Sequence, residues 1–104
     1  MSPVRTLLPA LLFATAAHAQ PPQKPARLGL CAACHGENGI AAAAGIPHLA
    51  GQDRDYLVAA LRQYRDGERQ AAAMRAVSGT LSQADIVALA DWYANQPRAG
   101  GAAP

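Results

Sequence analysis

Two stretches of the chain repeat apolar residues at the spacing of an amphipathic α-helix. In the first, Leu57, Leu61 and Tyr64 follow one another at positions i, i+4 and i+7, which places them on one helix face. Asp53 stands just before this pattern, where its carboxylate can accept hydrogen bonds from the unpaired N–H groups of a first turn. We therefore expect a helix over residues 53–66 that buries one face.

The second apolar pattern lies near the carboxyl end of the chain. Ile86, Leu89 and Tyr93 follow one another at i, i+3 and i+7. Ser82 precedes them, with an acidic residue three positions later, as in a capping box. The pattern predicts a helix over residues 82–96, which a proline then ends.

The remaining parts of the chain carry weaker signals. A short helix is predicted from Pro25, a residue suited to a first helical turn, to about Cys34. Glycines and a proline interrupt residues 37–52, which we expect to form a loop, and residues 68–80 are expected to form a loop with at most one helical turn. The sequence has no β-strand pattern, so the predicted fold class is all-α, with about three main helices.

The short first helix carries the strongest chemical motif of the sequence. Cys31 and Cys34 are three residues apart and His35 follows at once, which is the spacing of a c-type haem attachment site. Residues i and i+3 of a helix lie on one face, so both thiols can reach one porphyrin and form thioethers. His35 can then supply an imidazole nitrogen to the iron. We expect one covalently attached haem c, with helices and loops wrapped around it.

Two other kinds of site share this cysteine spacing. A redox disulfide of the thioredoxin type lies in a βαβ pattern, and no such pattern is visible here. A structural zinc site needs a second pair of ligands, whereas Cys31 and Cys34 are the only cysteines of the chain. Haem is therefore the favoured interpretation, and a disulfide and a zinc site are the alternatives.

Two further residues are candidates for holding a haem. The carbonyl of Pro47 can accept a hydrogen bond from the second ring nitrogen of His35 and so orient the ring, although an ordinary turn proline has the same sequence signature. Met74 is the only thioether left once the initiator methionine is removed with a signal peptide, and a thioether suits the sixth position of the iron. His48 and an open sixth position are the alternatives to Met74.

The amino-terminal residues have the features of a secretion signal. A basic residue precedes an apolar run, and Ala17-His18-Ala19 fits the small-x-small rule for cleavage. We expect residues 1–19 to be a signal peptide and residues 20–25 an extended leader, with the mature chain in the periplasm. An uncleaved membrane anchor is the alternative, but the apolar run is shorter than the ~20 residues that span a bilayer.

The composition indicates that the chain has too few large apolar side chains to form a stable hydrophobic core alone. It has one Phe, one Trp and three Tyr, and the Phe lies within the predicted signal peptide. A domain this small with so few large side chains is marginally stable, and a buried porphyrin would supply apolar surface. The formal net charge is +2 and no basic run is present, so nothing in the sequence indicates nucleic-acid binding.

The order of these features resembles the class I cytochrome c family, and especially its small bacterial c-553-like domains, which also occur as halves of dihaem cytochromes. The similarity covers residues 26–96, and the spacing from Gly67 through Met74 to Leu81 makes it specific. The matching residues and segments are Cys31–Gly36, Pro47–Gln52, Tyr56, Leu61, Tyr64, Gly67, Arg69, Met74, Leu81–Ser82, Asp85–Ile86, Leu89 and Tyr93.

The resemblance implies a role for each candidate residue. Cys31 and Cys34 carry the haem, and Pro47 supports the proximal ligand. That ligand is His35, and Met74 is the second axial ligand.

The resemblance also implies a function. The expected protein is a one-electron carrier and not an enzyme, and its partners are periplasmic or membrane-bound redox proteins such as a dehydrogenase, a reductase complex or a terminal oxidase. The alternatives are the electron-accepting subunit of a dehydrogenase complex and, with an open sixth position, a haem ligand sensor or a peroxidase. We expect a monomer or a transient complex without stable membrane insertion.

The cytochrome domain implied by the resemblance spans residues 26–97, and residues 98–104 are expected to be a flexible tail. The first helix is shorter than is usual in the family and lacks the early glycine that contacts the last helix. Gly29 is the candidate substitute, packing against Trp92 or Tyr93. A histidine, His48, stands where lysine is common.

Overall fold

The computed structural model describes residues 1–14 and 23–100, and within these ranges it contains helices and no strand. The predicted cleavage point after Ala19 and part of the predicted leader lie outside the described residues. The four helices are α1 Leu28–His35, α2 Arg54–Asp66, α3 Ala72–Ser78 and α4 Gln83–Ala94. The predicted all-α fold class is confirmed. None of the helices in the described ranges is long and apolar enough to cross a membrane.

Helix α2 begins and ends as its sequence predicts. The Asp53 carboxylate accepts a hydrogen bond from Tyr56 N–H at 2.8 Å, which caps the first turn. At the other end Gly67 has a φ of 81°, and its N–H bonds to the last carbonyls of the helix. The side chains of Leu57 and Ala60 are buried on the inner face.

Helix α4 also follows its pattern but is shorter than predicted. The Ser82 hydroxyl accepts from Asp85 N–H and the Asp85 carboxylate accepts from Ser82 N–H, each at 3.0 Å, which forms the predicted capping box. The hydrogen bond from the Ser82 N–H is the main cause of a lowered pKa of Asp85. The helix ends at Ala94, because the Asn95 side chain bonds to the Asp91 carbonyl in the last turn.

Helix α3 is the main departure from the predicted arrangement. It has seven residues, where at most one helical turn was expected. The run from Ala71 to Ala76 favours helix through intrinsic propensity, but it has no apolar face of helical period, so the pattern of hydrophobic residues did not indicate it. Helix α3 packs against α2, which supplies the stabilisation that a helix of two turns lacks alone.

Helix α1 begins at Leu28, later than the predicted start, and Gly36 ends it with a φ of 79°. A Cβ on Gly36 would lie 2.6 Å from the Ile40 carbonyl oxygen, so the turn that follows the helix requires glycine. The expected contact of Gly29 with Trp92 or Tyr93 is wrong, because a Cβ on Gly29 would meet no atom within 4 Å.

The core is small and centres on the inner face of α4. Leu28 and Cys31 of α1 pack in it, whereas Gly29, which was expected to contact the last helix, does not. Leu81, in the connection between α3 and α4, is also a member. Its buried members are Leu28, Cys31, Leu57, Leu81, Ile86, Leu89, Ala90 and Tyr93. This core contains no phenylalanine and includes a cysteine thiol. Tyr93 is its one aromatic side chain, so few large side chains form the interior.

The carboxyl-terminal segment contacts the loop before α2. Arg98 Nε donates to the Gly51 carbonyl at 3.1 Å, so the first residue of the predicted tail is held against the domain. Residues 101–104 of that tail lie outside the described residues.

Substitution of Ser78 by Ala is expected to stabilise the protein by about 1 kcal/mol, because a buried hydroxyl without a partner costs free energy. Ser78 is fully buried and its Oγ has no hydrogen-bond partner among the described residues. The free energy of unfolding in urea measures the change. Ser82→Ala is the matched control, since it removes the α4 cap and is expected to destabilise by ~1 kcal/mol. A loss of stability in Ser78→Ala would contradict the assignment of a cost to this hydroxyl.

Candidate haem site

Helix α1 holds all three residues of the Cys-x-x-Cys-His motif. Cys31 and His35 are buried, whereas Cys34 is exposed, and both cysteines are free thiols. Burial raises the pKa of the Cys31 thiol. The motif therefore spans the boundary of the fold, with one thiol in the core and the second at the surface.

The His35 ring is held by the hydrogen bond expected from the sequence. Its Nδ1 lies 2.8 Å from the Pro47 carbonyl oxygen. A carbonyl only accepts, so Nδ1 carries a proton and donates, and in the neutral ring Nε2 keeps its lone pair. An imidazole fixed in this tautomer is oriented and made more basic as a metal ligand.

The end of the loop that carries Pro47 is hydrogen-bonded to the start of the same loop. Leu49 N–H and Ala50 N–H both donate to the Gly39 carbonyl, at 2.8 and 3.1 Å. Gly39 has a φ of 77°, and a Cβ there would lie 2.6 Å from Ala50 N. Glycine is therefore required for this close approach, which brings the end of the loop back beside the motif.

One residue of α4 holds both ends of this loop. The Tyr93 hydroxyl donates to the Gly36 carbonyl at 2.9 Å, directly after the motif. The Tyr93 carbonyl accepts from Gly51 N–H at 3.0 Å, where the loop ends. Burial is the main cause of a raised pKa of the Tyr93 phenol.

A second aromatic residue of α4 supports the same turn. Trp92 Nε1 donates to the Glu37 carbonyl at 2.7 Å. Neither Trp92 nor Tyr93 was identified from the sequence as a residue that positions the site. The sequence feature that could have indicated this role is the pair of aromatic residues on the last helix. Each has an apolar ring and a polar group that needs a hydrogen-bond partner when it is buried.

Met74 is carried by a different element from the other candidates. It lies in α3, partly buried, on the helix that packs against α2. The structure thus places Cys31, Cys34 and His35 on one helix and joins His35 to Pro47, whereas no described hydrogen bond links Met74 to them.

The donor set of these residues fits a haem better than a bare metal ion. Three or more His, Cys, Asp or Glu side chains able to enclose an ion do not come together in residues 1–14 and 23–100, so the zinc alternative lacks ligands there. An imidazole and a thioether are established axial ligand types for a haem iron, and a pair of thiols on one helix face suits its two vinyl groups.

A helical domain whose Cys-x-x-Cys-His histidine is held by a proline carbonyl has the features of a c-type cytochrome. Residues 26–92 match the family described as cytochrome c oxidase, cbb3-type, subunit III. The chain belongs to this family of class I c-type cytochromes. Membership implies haem c with its iron as the cofactor.

Relatives with known names carry the same assignment. The chain is 40 % identical over 73 residues to cytochrome c-554(548) of Halomonas halodenitrificans, covering 67 % of this chain and 88 % of that one. It is 41 % identical over 81 residues to the thiosulfate dehydrogenase electron acceptor of Thiomonas intermedia, covering 77 % of this chain. The chain spans only 37 % of the length of that acceptor.

A solved structure has the same fold. The crystal structure of reduced recombinant cytochrome c4 from Pseudomonas stutzeri superimposes with a TM-score of 0.59 and is 35 % identical. The match covers 64 % of this chain and 37 % of the cytochrome c4 chain. The domain found here therefore corresponds to a part of that longer protein.

Tyr93→Phe is expected to destabilise the protein by about 1–2 kcal/mol at neutral pH, because it removes the donor to the Gly36 carbonyl. The raised pKa of Tyr93 also sets a pH dependence. An unfolded tyrosine ionises near pH ~10, so the stabilisation from keeping Tyr93 neutral is complete below that pH and is lost as the pH rises above it.

The free energy of unfolding, followed by urea denaturation on both sides of pH ~10, measures both effects. The alkaline decline is expected to be shallower in Tyr93→Phe than in the wild type. Tyr56→Phe is the matched control, because that side chain is exposed and its hydroxyl bonds to no described residue. Equal stability of Tyr93→Phe and wild type would show that the Gly36 contact does not hold the loop.

Proposed function

We propose that the chain carries a single haem, attached through thioethers at Cys31 and Cys34, and that it acts as a one-electron carrier rather than an enzyme. The hydrogen bond from His35 Nδ1 to the Pro47 carbonyl, at 2.8 Å, is the observation that carries the proposal. In the neutral ring this bond leaves Nε2 as the unprotonated nitrogen, which is the state that an iron ligand requires.

Exposed apolar groups beside the motif support a porphyrin in this position. Leu30 precedes Cys31 on α1 and is 41 % exposed, and Ile40 in the turn after His35 is also 41 % exposed. A bound porphyrin would cover apolar surface of this kind and enlarge the small core.

Met74 is proposed as the second axial ligand. The rival, His48, directly follows Pro47, and its Nδ1 already accepts a hydrogen bond from Ala41 N–H at 2.9 Å. This contact ties His48 to the loop that supports His35, so it favours Met74 over His48 as a second ligand. Met74 lies on a separate element, α3, from which it would hold the haem iron together with His35.

The haem iron supplies the one-electron couple when it is bound. A histidine and a methionine as axial ligands raise the potential of that couple relative to two histidines. The chain's own part is to orient His35, to present Met74 and to keep water from the interior. If His35 and Met74 both held the iron, no ligand position would be left for a substrate, as electron transfer requires.

The partners are proposed to be periplasmic or membrane-bound redox proteins: a dehydrogenase, a reductase complex or a terminal oxidase. Residues 1–19 are proposed to be a signal peptide that directs the chain to the periplasm. A second candidate function is the electron-accepting subunit of a dehydrogenase, and it is supported by the name of the Thiomonas intermedia relative. Co-purification with a larger catalytic chain would distinguish this role from that of a free carrier.

The proposed attachment predicts that Cys31→Ala with Cys34→Ala abolishes covalent pigment. The chain is expressed with a haem-maturation system and extracted with acid and acetone, and intact mass and the pyridine haemochrome spectrum are then recorded. The wild type should keep one haem per chain and the double variant none, because no thiol remains to form a thioether. Ala33→Ser, between the two cysteines, is the matched control and should keep its haem. A pigment that resists extraction in the double variant would refute the attachment.

The proposed ligation predicts that Met74→Ala keeps the haem but opens its sixth position. The weak far-red absorption of iron–sulfur ligation should be present in the oxidised wild type and absent in the variant. Carbon monoxide should bind the reduced variant and not the reduced wild type. Met74 is not the ligand if the wild type lacks the far-red band, and carbon monoxide binding to the wild type would favour a ligand sensor or peroxidase.

A further inference from the structure

The side chain of His48 closes the segment that presents the Pro47 carbonyl. Its Nδ1 accepts a hydrogen bond from Ala41 N–H at 2.9 Å, seven residues earlier in the chain. Between these two points the Ile46 N–H bonds to the Ala43 carbonyl at 3.4 Å, which forms a turn. The His48 contact therefore fixes the spacing of the two ends of this turn.

This contact defines the protonation state of the ring. A backbone N–H can only donate, so His48 Nδ1 must be an unprotonated acceptor and Nε2 must carry the ring proton. An imidazolium has protons on both nitrogens and cannot make this bond.

The Pro47 carbonyl is mechanically connected to this ring. It belongs to the planar peptide unit that joins Pro47 to His48, so the direction in which it points follows the placement of His48. On the far side of His48, Leu49 N–H is fixed to the Gly39 carbonyl at 2.8 Å. A side chain at position 48 that cannot accept from Ala41 N–H would leave the segment before it open, while the segment after it stays in place.

We propose that His48 is a positioning residue for His35, acting through the Pro47 carbonyl, and that loss of its acceptor nitrogen weakens the hydrogen bond from His35 Nδ1 to that carbonyl and raises the reduction potential of the protein. The inference rests on the proposed function. A hydrogen bond to the Nδ1 proton makes an imidazole a stronger donor, and a stronger donor stabilises the more positive, oxidised iron. A weaker bond therefore favours the reduced state, so the potential rises when the acceptor at position 48 is lost.

The test compares His48→Asn and His48→Ala with the wild-type holoprotein. The asparagine Oδ1 can accept from Ala41 N–H, so this variant should keep the wild-type potential at pH 8. Alanine offers no acceptor, so His48→Ala should have a higher potential at the same pH. Asn38→Ala is the matched control, at an exposed loop residue whose side chain bonds to no described group, and it should keep the wild-type potential.

A second measurement does not depend on electron transfer. Proton NMR of the reduced holoprotein follows the His35 ring N–H and the protection factor of the Ala41 amide against exchange. Both should be the same in the wild type and His48→Asn and should change in His48→Ala, where the Ala41 amide has lost its acceptor. Equal potentials in the wild type and His48→Ala would overturn the inference, as would equal potentials in His48→Asn and His48→Ala. Since these results need a haem-loaded protein, they are distinct from a colourless product, which would refute the proposed function itself.

Discussion

The site depends on the way Tyr93 holds the loop between α1 and α2. Its hydroxyl bonds to the Gly36 carbonyl and its own carbonyl accepts from Gly51 N–H, so one residue of the last helix fixes both ends of a loop that starts and finishes beside the motif. Because the ring of Tyr93 is also a member of the core, the loop is tied to the best-packed part of the domain. The direction of the Pro47 carbonyl toward His35 is a consequence of this arrangement, since a free loop of this length would have many conformations.

The small core explains why such ties are needed. Its buried members are one thiol, one tyrosine and otherwise aliphatic side chains of moderate size, and a domain of this length has little apolar area to oppose the entropy of ordering the chain. In a larger protein, packing of apolar side chains holds the loops in place. Here hydrogen bonds from side chains to loop carbonyls hold them, because each bond fixes a backbone group that would otherwise be hydrogen-bonded to water. A porphyrin bound at the motif would add apolar contact to this small core.

The two long helices were predictable because the relevant forces act locally. The pairs Asp53 with Tyr56 and Ser82 with Asp85 are capping contacts within one turn, and a sequence shows them directly. The His35–Pro47 bond was also predictable, since the ring needs an acceptor and the family places a proline at that point. Helix α3 was missed because propensity without an amphipathic period is a weak signal, and it is the packing on α2 that stabilises this helix. The roles of Trp92 and Tyr93 at the loop were missed because their partners are backbone carbonyls, which every residue has, so no residue type marks them.

The two histidines of the described domain make opposite hydrogen bonds with the same loop through the same ring nitrogen, Nδ1. His35 meets a carbonyl, so its Nδ1 must donate, whereas His48 meets a backbone N–H, so its Nδ1 must accept. Neither assignment follows from the histidine itself; each follows from which backbone group the fold presents. The carbonyl that accepts from His35 belongs to the peptide unit that leads into His48, so one planar group joins the two contacts. The placement of the His48 backbone therefore bears directly on the acceptor that orients the His35 ring.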